Sequence, residues 1–97
     1  MHNRYSVTEE GLQKIASGGL SVPEVLQVLG GAGRIFWHPA EGVAAELGET
    51  MDGRRLIVML VEADQEDNDW DIVAAWQMTS QESTQYDHVQ GMRRPRS

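Results

Sequence analysis

The sequence contains no cysteine, which excludes disulfide bonds and metal sites built on thiolates. The first residues, Met1–Gly11, include no apolar segment, so we expect no secretory signal. The longest apolar run, Leu56–Val61, is far shorter than the roughly 20 residues that a membrane helix needs. These three absences predict a cytoplasmic protein without a membrane span.

Positive charge is scarce and is concentrated at one end of the chain. Eight basic residues face fifteen acidic ones, for a formal net charge of −7. Arg93, Arg94 and Arg96 lie among the last five positions, so residues 1–90 hold five basic residues against all fifteen acidic ones. Because nucleic-acid affinity depends on cationic contacts that release counterions, this balance predicts no nucleic-acid partner. The basic tail, residues 92–97, is either a flexible solvated end or a short docking arm.

The length of 97 residues predicts one domain, which we place at residues 1–91. A chain of this size buries roughly 60–68% of its unfolded surface, which is enough for one modest core. Three segments contain a hydroxyl followed three residues later by a glutamate, the spacing of a helix capping box. They are Ser6 with Glu9, for which Thr8 is an alternative cap, Ser21 with Glu24, and Thr79 with Glu82.

Apolar periodicity and turn residues divide the chain into helices and strands. The predicted helices are Thr8–Ser17, Val22–Leu29 and Ser80–His88, and the predicted strands are Arg34–His38, Gly42–Glu49, Leu56–Glu62 and Trp70–Met78. This order predicts an α+β fold with two N-terminal helices, a four-stranded and mainly antiparallel sheet, and a C-terminal helix. The last helix shows no apolar stripe, so we expect it to pack lightly or to cap an edge.

The predicted strands differ in their expected burial. The predicted strand Leu56–Glu62 begins with an unbroken apolar run, Leu56–Val61, which predicts a central strand. Such a strand is buried on both faces, or on one face with a protein partner covering the other. The Asp-Gly pair at residues 52–53 predicts a tight hairpin turn before it. Pro39 is expected to end the first strand. In the last strand, strict alternation predicts that Ile72 and Trp76 point to the same face.

Acidic side chains cluster between the last two predicted strands. Asp67, Asp69 and Asp71 have the spacing of the first ligands of a calcium loop. The positions where such a loop has its glycine and its bidentate acid hold Ile72 and Met78, so we predict a solvated hairpin tip and no metal site. The acidic residues of this segment are Glu62, Asp64, Glu66, Asp67, Asp69 and Asp71.

Three side chains have the chemistry of a catalytic or anion-binding site. His38 lies at a predicted strand end, where it is either an ordinary strand residue or a general base. Arg54 and Arg55 follow the predicted turn. They either neutralise nearby carboxylates such as Asp52 and Glu49 or contact phosphate groups.

The tryptophans and a glycine-rich segment give weaker signals. Trp37, Trp70 and Trp76 have no basic residues interleaved with them, so we interpret them as core or interface anchors rather than platforms for stacking bases. The segment Gly30–Gly33 is not a phosphate loop, because no Lys-Ser/Thr pair follows it and it precedes a strand. No cofactor is predicted.

Several short motifs in residues 47–86 recur together in one protein family. A glycine ends one strand, a Gly-Arg-x-Leu-x-Val stretch begins the next, the final strand contains Ile-x-x-Ala, and the last helix carries Thr-x-x-Glu-x-x-x-Tyr. The matching positions are Gly48, Gly53, Arg54, Leu56, Val58, Ile72, Ala75, Thr79, Glu82 and Tyr86. In these motifs the chain resembles the BrnT family of small type II toxins, which have a RelE-like ribonuclease fold.

The resemblance implies the fold and, if it extends to activity, a site that cleaves RNA. That site would have Arg54, Glu82, Tyr86 and His38 as catalytic residues, with Arg55, Trp76 and Trp37 as binding residues.

The chain departs from the family pattern at the cationic positions. Trp76 stands where the family strand has an arginine, and the basic residue expected near Val43 is absent. Residues 80–90 contain neither lysine nor arginine, whereas the last helix of the family is rich in both. Since cleavage of RNA depends on positive charge for binding and for stabilising the transition state, these departures argue against the reaction.

Three functional hypotheses follow from the sequence. In the first, a BrnT-like domain with lost or weakened ribonuclease activity acts as an interaction module, which binds a protein partner or a second copy of itself through Leu56–Val61 or through exposed tryptophans. In the second, the chain is an active ribonuclease toxin of a toxin–antitoxin pair. In the third, an acidic immunity or adaptor protein binds a basic partner, and this binding weakens with salt.

Overall fold

A computed structural model describes residues 4–31, 35–63 and 69–93. The strands in these ranges are β1 (Arg4–Val7), β2 (Ile35–Ala40), β3 (Val43–Glu49), β4 (Arg55–Glu62) and β5 (Asp69–Gln77), and the helices are α1 (Glu9–Ser17), α2 (Val22–Leu29) and α3 (Ser80–Arg93).

The strands form one mixed sheet in the order β1-β5-β4-β3-β2. β1 pairs with β5 in parallel, and the other three pairs are antiparallel. This arrangement confirms the predicted α+β class with its mainly antiparallel sheet and C-terminal helix. The predicted number of four strands is wrong, because residues 4–7 add a fifth strand at one edge of the sheet.

β1 conflicts with the interpretation of Ser6 as a helix cap. Ser6 lies within the strand, and Thr8 caps α1 by accepting a hydrogen bond from the Gly11 amide at 2.9 Å. The strand is four residues long, and its residues Tyr5 and Val7 pack against the core. Two apolar positions are too few for an alternating pattern to be recognised in the sequence.

The other two predicted helix starts are confirmed. The Glu24 amide donates to the Ser21 hydroxyl at 3.4 Å, and the Ser21 amide donates to the Glu24 carboxylate at 3.0 Å. Thr79 and Glu82 make the same exchange at 2.9 and 3.1 Å at the start of α3. Each box satisfies amides that a helix start leaves without an internal partner.

α1 and α2 cover one side of the sheet and enclose the hydrophobic core against it. β4 is the central strand, as predicted, and Leu56, Val58 and Leu60 are fully buried on this side. The other buried residues of the core are Ile15, Leu20, Val25, Val28, Leu29, Ala44, Trp70, Ile72 and Ala75.

β5 contains a bulge that changes which side chains share a face. Met59 pairs with Ala74, whereas the next residue, Leu60, pairs with Ile72, so β5 has one extra residue at this point. Ile72 is fully buried in the core beneath the helices, and Trp76 lies on the opposite side of the sheet. The prediction that Ile72 and Trp76 share a face is therefore wrong, because a bulge interrupts the alternation on which it was based.

β2 continues through Pro39, so the prediction that this proline ends the strand is wrong. β2 lies at the edge of the sheet, and its pairing with β3 is irregular between Trp37 and Ala40, so Pro39 occupies a position where a missing amide is tolerated. The predicted hairpin turn is confirmed, since Gly53 has a φ of 90°, which glycine adopts without strain.

Three sequence predictions concern residues outside the described ranges. These residues are 32–34, where the glycine-rich segment meets the predicted first strand, 64–68 of the acidic segment, and 94–97 of the basic tail. Within the described ranges, no helix combines the length and the apolar character that a membrane span requires. The same ranges contain no group of histidine and carboxylate side chains arranged to hold a metal ion.

Candidate functional site

The side of the sheet opposite α1 and α2 is only partly covered. α3 lies on this side, and a groove of about 580 Å³ runs between it and the edge strand β2. The sheet forms the floor of the groove and α3 forms one wall. The lining residues are Ile35, Phe36, Trp37, Pro39, Ala45, Leu47, Ile57, Met59, Trp76, Glu82, Gln85, Tyr86 and Val89.

α3 packs lightly against the sheet, as its polar sequence predicts. Among residues 80–91, Tyr86 is the one buried side chain, and it is 5% exposed. The helix continues beyond its predicted end at His88, and Val89 in the added part lines the groove. A helix anchored mainly by one aromatic ring leaves the neighbouring sheet surface open.

Arg55 connects the start of β4 to α3. Its guanidinium donates to Asp87 at 2.7 Å and to the Ser83 hydroxyl at 2.6 Å, and it approaches Glu49 at 3.3 Å. It also lies over the ring of Tyr86, 5.2 Å from the ring centroid. The hydrogen bond to Asp87 raises the pKa of Arg55, although desolvation opposes the change. Two carboxylates therefore offset the charge of this guanidinium.

Arg54, the preceding residue, is directed towards α2 instead. Its guanidinium pairs with Glu24 at 2.8 Å and lies 3.7 Å from Asp52. The Thr50 hydroxyl, and more weakly Arg54, lowers the pKa of the Asp52 carboxyl. The structure thus separates two arginines that are adjacent in the sequence, and it is Arg55 that contacts Tyr86.

His38 does not join this group. Its ring packs against Phe36, with the ring centroids 4.7 Å apart, and its centroid lies 6.1 Å from that of Trp70. Trp70 belongs to the core on the helix-covered side. Because successive strand residues point to opposite faces, His38 projects from the other side of β2 than Trp37 does.

Five of the predicted site residues do come together at the groove. They are Arg55, Glu82, Tyr86, Trp37 and Trp76. Glu82 lines the groove while its carboxylate accepts the hydrogen bond from the Thr79 amide, so it has a capping role in addition to its place in the wall. Arg54 and His38 lie elsewhere.

Sequence reasoning missed the aliphatic floor of the groove. Ile57 and Met59 of β4 and Leu47 of β3 form part of it, and Leu47 is paired directly with Ile57. The signal was present in the apolar run of β4, where odd-numbered residues must face away from Leu56 and Leu60. Alternation within the run therefore identifies a second apolar face of β4, which must pack against another element or against a partner.

The described lining of the groove is strongly apolar. Glu82 is the one residue with a formal charge among these lining side chains, and no lysine or arginine is part of the lining. Aromatic residues contribute much of the surface, and Trp37 at the rim is 59% exposed. A surface of this composition favours apolar side chains over the phosphates of RNA.

The sheet order, the two covering helices and the lightly packed C-terminal helix define a small α+β protein with the fold of a ribonuclease toxin. Among solved structures, the chain matches that of BrnT, the ribonuclease toxin of Brucella abortus, solved at 1.1 Å, with a TM-score of 0.58. The match covers 82% of this chain and 99% of that chain at 11% sequence identity, so it concerns the fold. The predicted resemblance to BrnT is confirmed at this level. No protein-family model matches the sequence, and no curated protein matches it.

Proposed function

We propose that this chain is a protein-binding module on a ribonuclease-toxin fold and that it does not cleave RNA. The observation that supports this proposal is the apolar groove beside α3. Its floor contains Met59 and Ile57, and its rim exposes Trp37. Exposed aromatic and methionine side chains around a concave surface are typical of protein interfaces.

The charges around the groove also oppose a ribonuclease site. Catalysis at a phosphate depends on cationic or polar groups that stabilise the developing negative charge. Arg55 is the cation that contacts the groove wall, and its guanidinium is already engaged by Asp87 and Glu49. A phosphate would have to displace these carboxylates, and the formal net charge of −7 would repel it from a distance.

RNA incubated with a molar excess of the purified protein is expected to remain intact, because the described residues of the groove offer no uncompensated cation to the phosphate. Gel analysis of structured and unstructured RNA over several hours checks this expectation. Expression of the chain in a bacterial host is expected to leave the growth rate unchanged.

Two variants distinguish true activity from a contaminating nuclease. Arg55→Ala removes the cation beside Tyr86, and Arg54→Ala removes the neighbouring cation that pairs with Glu24 on the other side. Cleavage that disappears in Arg55→Ala and persists in Arg54→Ala would overturn the proposal. Cleavage that is equal in both variants and varies between preparations identifies a contaminant.

A second candidate function, ribonuclease activity, is supported by the contact between Arg55 and Tyr86. The guanidinium lies over the phenol ring and beside the Ser83 hydroxyl, so a cation and two hydroxyl-bearing side chains meet at one end of the groove. The matched structure is itself described as a ribonuclease toxin. This function predicts growth arrest on expression, which the Arg55→Ala variant would relieve.

A further inference from the structure

The part of the sheet between α3 and the edge strand β2 is about as wide as one helix. Between α3 and the sheet edge, the floor of the groove spans β4, β3 and β2. Neighbouring strands lie about 4.8 Å apart, so three strands present a strip about 10 Å wide. An α-helix with its side chains is about 10 Å across. The strip can therefore seat one additional helix alongside α3.

We propose that this groove binds an amphipathic helix of a basic protein partner, a proposal that rests on the proposed function. The apolar face of the helix packs on the half-buried Met59 and Leu47 at the floor and against Trp37 at the rim. Its basic face remains outside, where the charges of the described residues are mostly negative.

Charge complementarity specifies a basic partner. Glu82 lines the groove, and Asp87 and Glu49 lie at its Arg55 end. At the other end, Asp71 is paired with Val61 and so projects from the same side of the sheet as Met59, two residues from Val61 along β4. Among the described side chains on this side, Arg55 is the one lysine or arginine, against four carboxylates, which are Glu49, Asp71, Glu82 and Asp87.

A basic helix also suits the exposed indole of Trp37. Lysine or arginine at the edge of the apolar face would lie near this ring, which is 59% exposed, and would gain a cation–π contact. A second copy of this chain is a poorer occupant because it carries the same formal charge of −7. A β-strand added at β2 would meet Pro39, whose ring nitrogen donates no hydrogen bond.

The test uses the full chain and three synthetic peptides of about 18 residues, a length of about 27 Å when helical. The first has leucine on one helical face and lysine on the other. The second replaces every lysine with glutamate, and the third scrambles the first so that leucine no longer forms one face. Fluorescence anisotropy measures affinity, and NMR follows the Met59 methyl and the Trp37 and Trp76 indole signals.

The basic amphipathic peptide is expected to bind at least tenfold more tightly than the other two and to shift these three signals. Trp37→Ala is expected to weaken its binding about tenfold, because an exposed tryptophan that becomes buried on binding is a typical hot spot of an interface. Met59→Lys, which places positive charge on the floor, should weaken it similarly. Leu12→Ala is the matched control, since Leu12 is 50% exposed on α1, on the other side of the sheet. Raising the salt concentration should weaken binding several-fold.

Four results would overturn the proposal. The first is equal binding by the acidic or scrambled peptide, and the second is unchanged affinity in both Trp37→Ala and Met59→Lys. The third is a dimer of the chain alone that Trp37→Ala dissociates, because the occupant is then a second copy. The fourth is a peptide that shifts β2 amides and leaves Met59 unaffected, which indicates strand addition. If RNA stays intact but the groove does not bind the basic helix, only this inference is contradicted. Cleavage of RNA that depends on Arg55 would contradict the proposed function itself.

Discussion

Gly11→Ala is expected to lower the melting temperature by about 15 °C, although alanine is normally the better helix former. Gly11 lies in the first turn of α1, where the helix approaches the backbone of β5. A Cβ atom added here would overlap the carbonyl oxygen of Ile72 and would crowd the Thr8 hydroxyl that caps the helix. Since neither the strand backbone nor the cap can move freely, α1 would have to shift from the core, at a cost of about 3 kcal/mol.

Gly18→Ala provides the matched control at the other end of the same helix. A Cβ at Gly18 would have its nearest neighbour, the Ala75 carbonyl oxygen, at 3.6 Å, which is an ordinary contact. Its φ of −83° is also accessible to any residue. The free energy of unfolding is expected to change by less than about 0.5 kcal/mol. Thermal unfolding followed by circular dichroism compares the two variants; equal melting temperatures would show that α1 does not lie this close to β5.

The elements that the sequence predicted well are those set by local rules. The capping boxes at Ser21 and Thr79 depend on residues three positions apart, and the turn at Gly53 depends on one positive φ. The central position of β4 followed from its continuous apolar run. Each of these features can be inferred within a window of a few residues.

The missed features depend on contacts between distant segments. β1 is defined by its parallel pairing with β5, which lies near the other end of the sequence. The bulge in β5 depends on its register with β4 rather than on its own composition. Neither feature leaves a signal within its own segment. The sequence pattern therefore predicted four strands instead of five, and it placed Trp76 on the same face of the sheet as Ile72.

The candidate site was predicted in composition but not in arrangement. The resemblance drew attention to Glu82, Tyr86 and Trp76, which do meet at the groove. It also drew attention to Arg54, whereas Arg55 is the arginine that contacts Tyr86. The alternation of β4 could have distinguished them, because a residue adjacent to buried Leu56 must project to the opposite side of the strand.

Leu60→Ala and Met59→Ala are expected to differ greatly in stability although they are neighbours on the central strand. Leu60 is fully buried beneath the helices, so its truncation leaves a cavity in the core and should cost about 3 kcal/mol. Met59 is half-buried and faces the open groove, where solvent fills the space of a removed side chain. Its truncation should cost about 1 kcal/mol, for lost apolar contact alone.

Urea unfolding followed by far-UV circular dichroism measures the difference without relying on the tryptophans around the groove. The contrast between the two variants reports whether the second face of β4 is open in the isolated protein. Similar losses of about 3 kcal/mol in both would mean that Met59 is covered in solution, either by α3 moving over the sheet or by a second copy of the chain. If Leu60→Ala lowers the free energy of unfolding strongly and Met59→Ala lowers it only slightly, Met59 is exposed to solvent in the isolated protein. This face of β4 then contributes little to folding, so a partner can bury it.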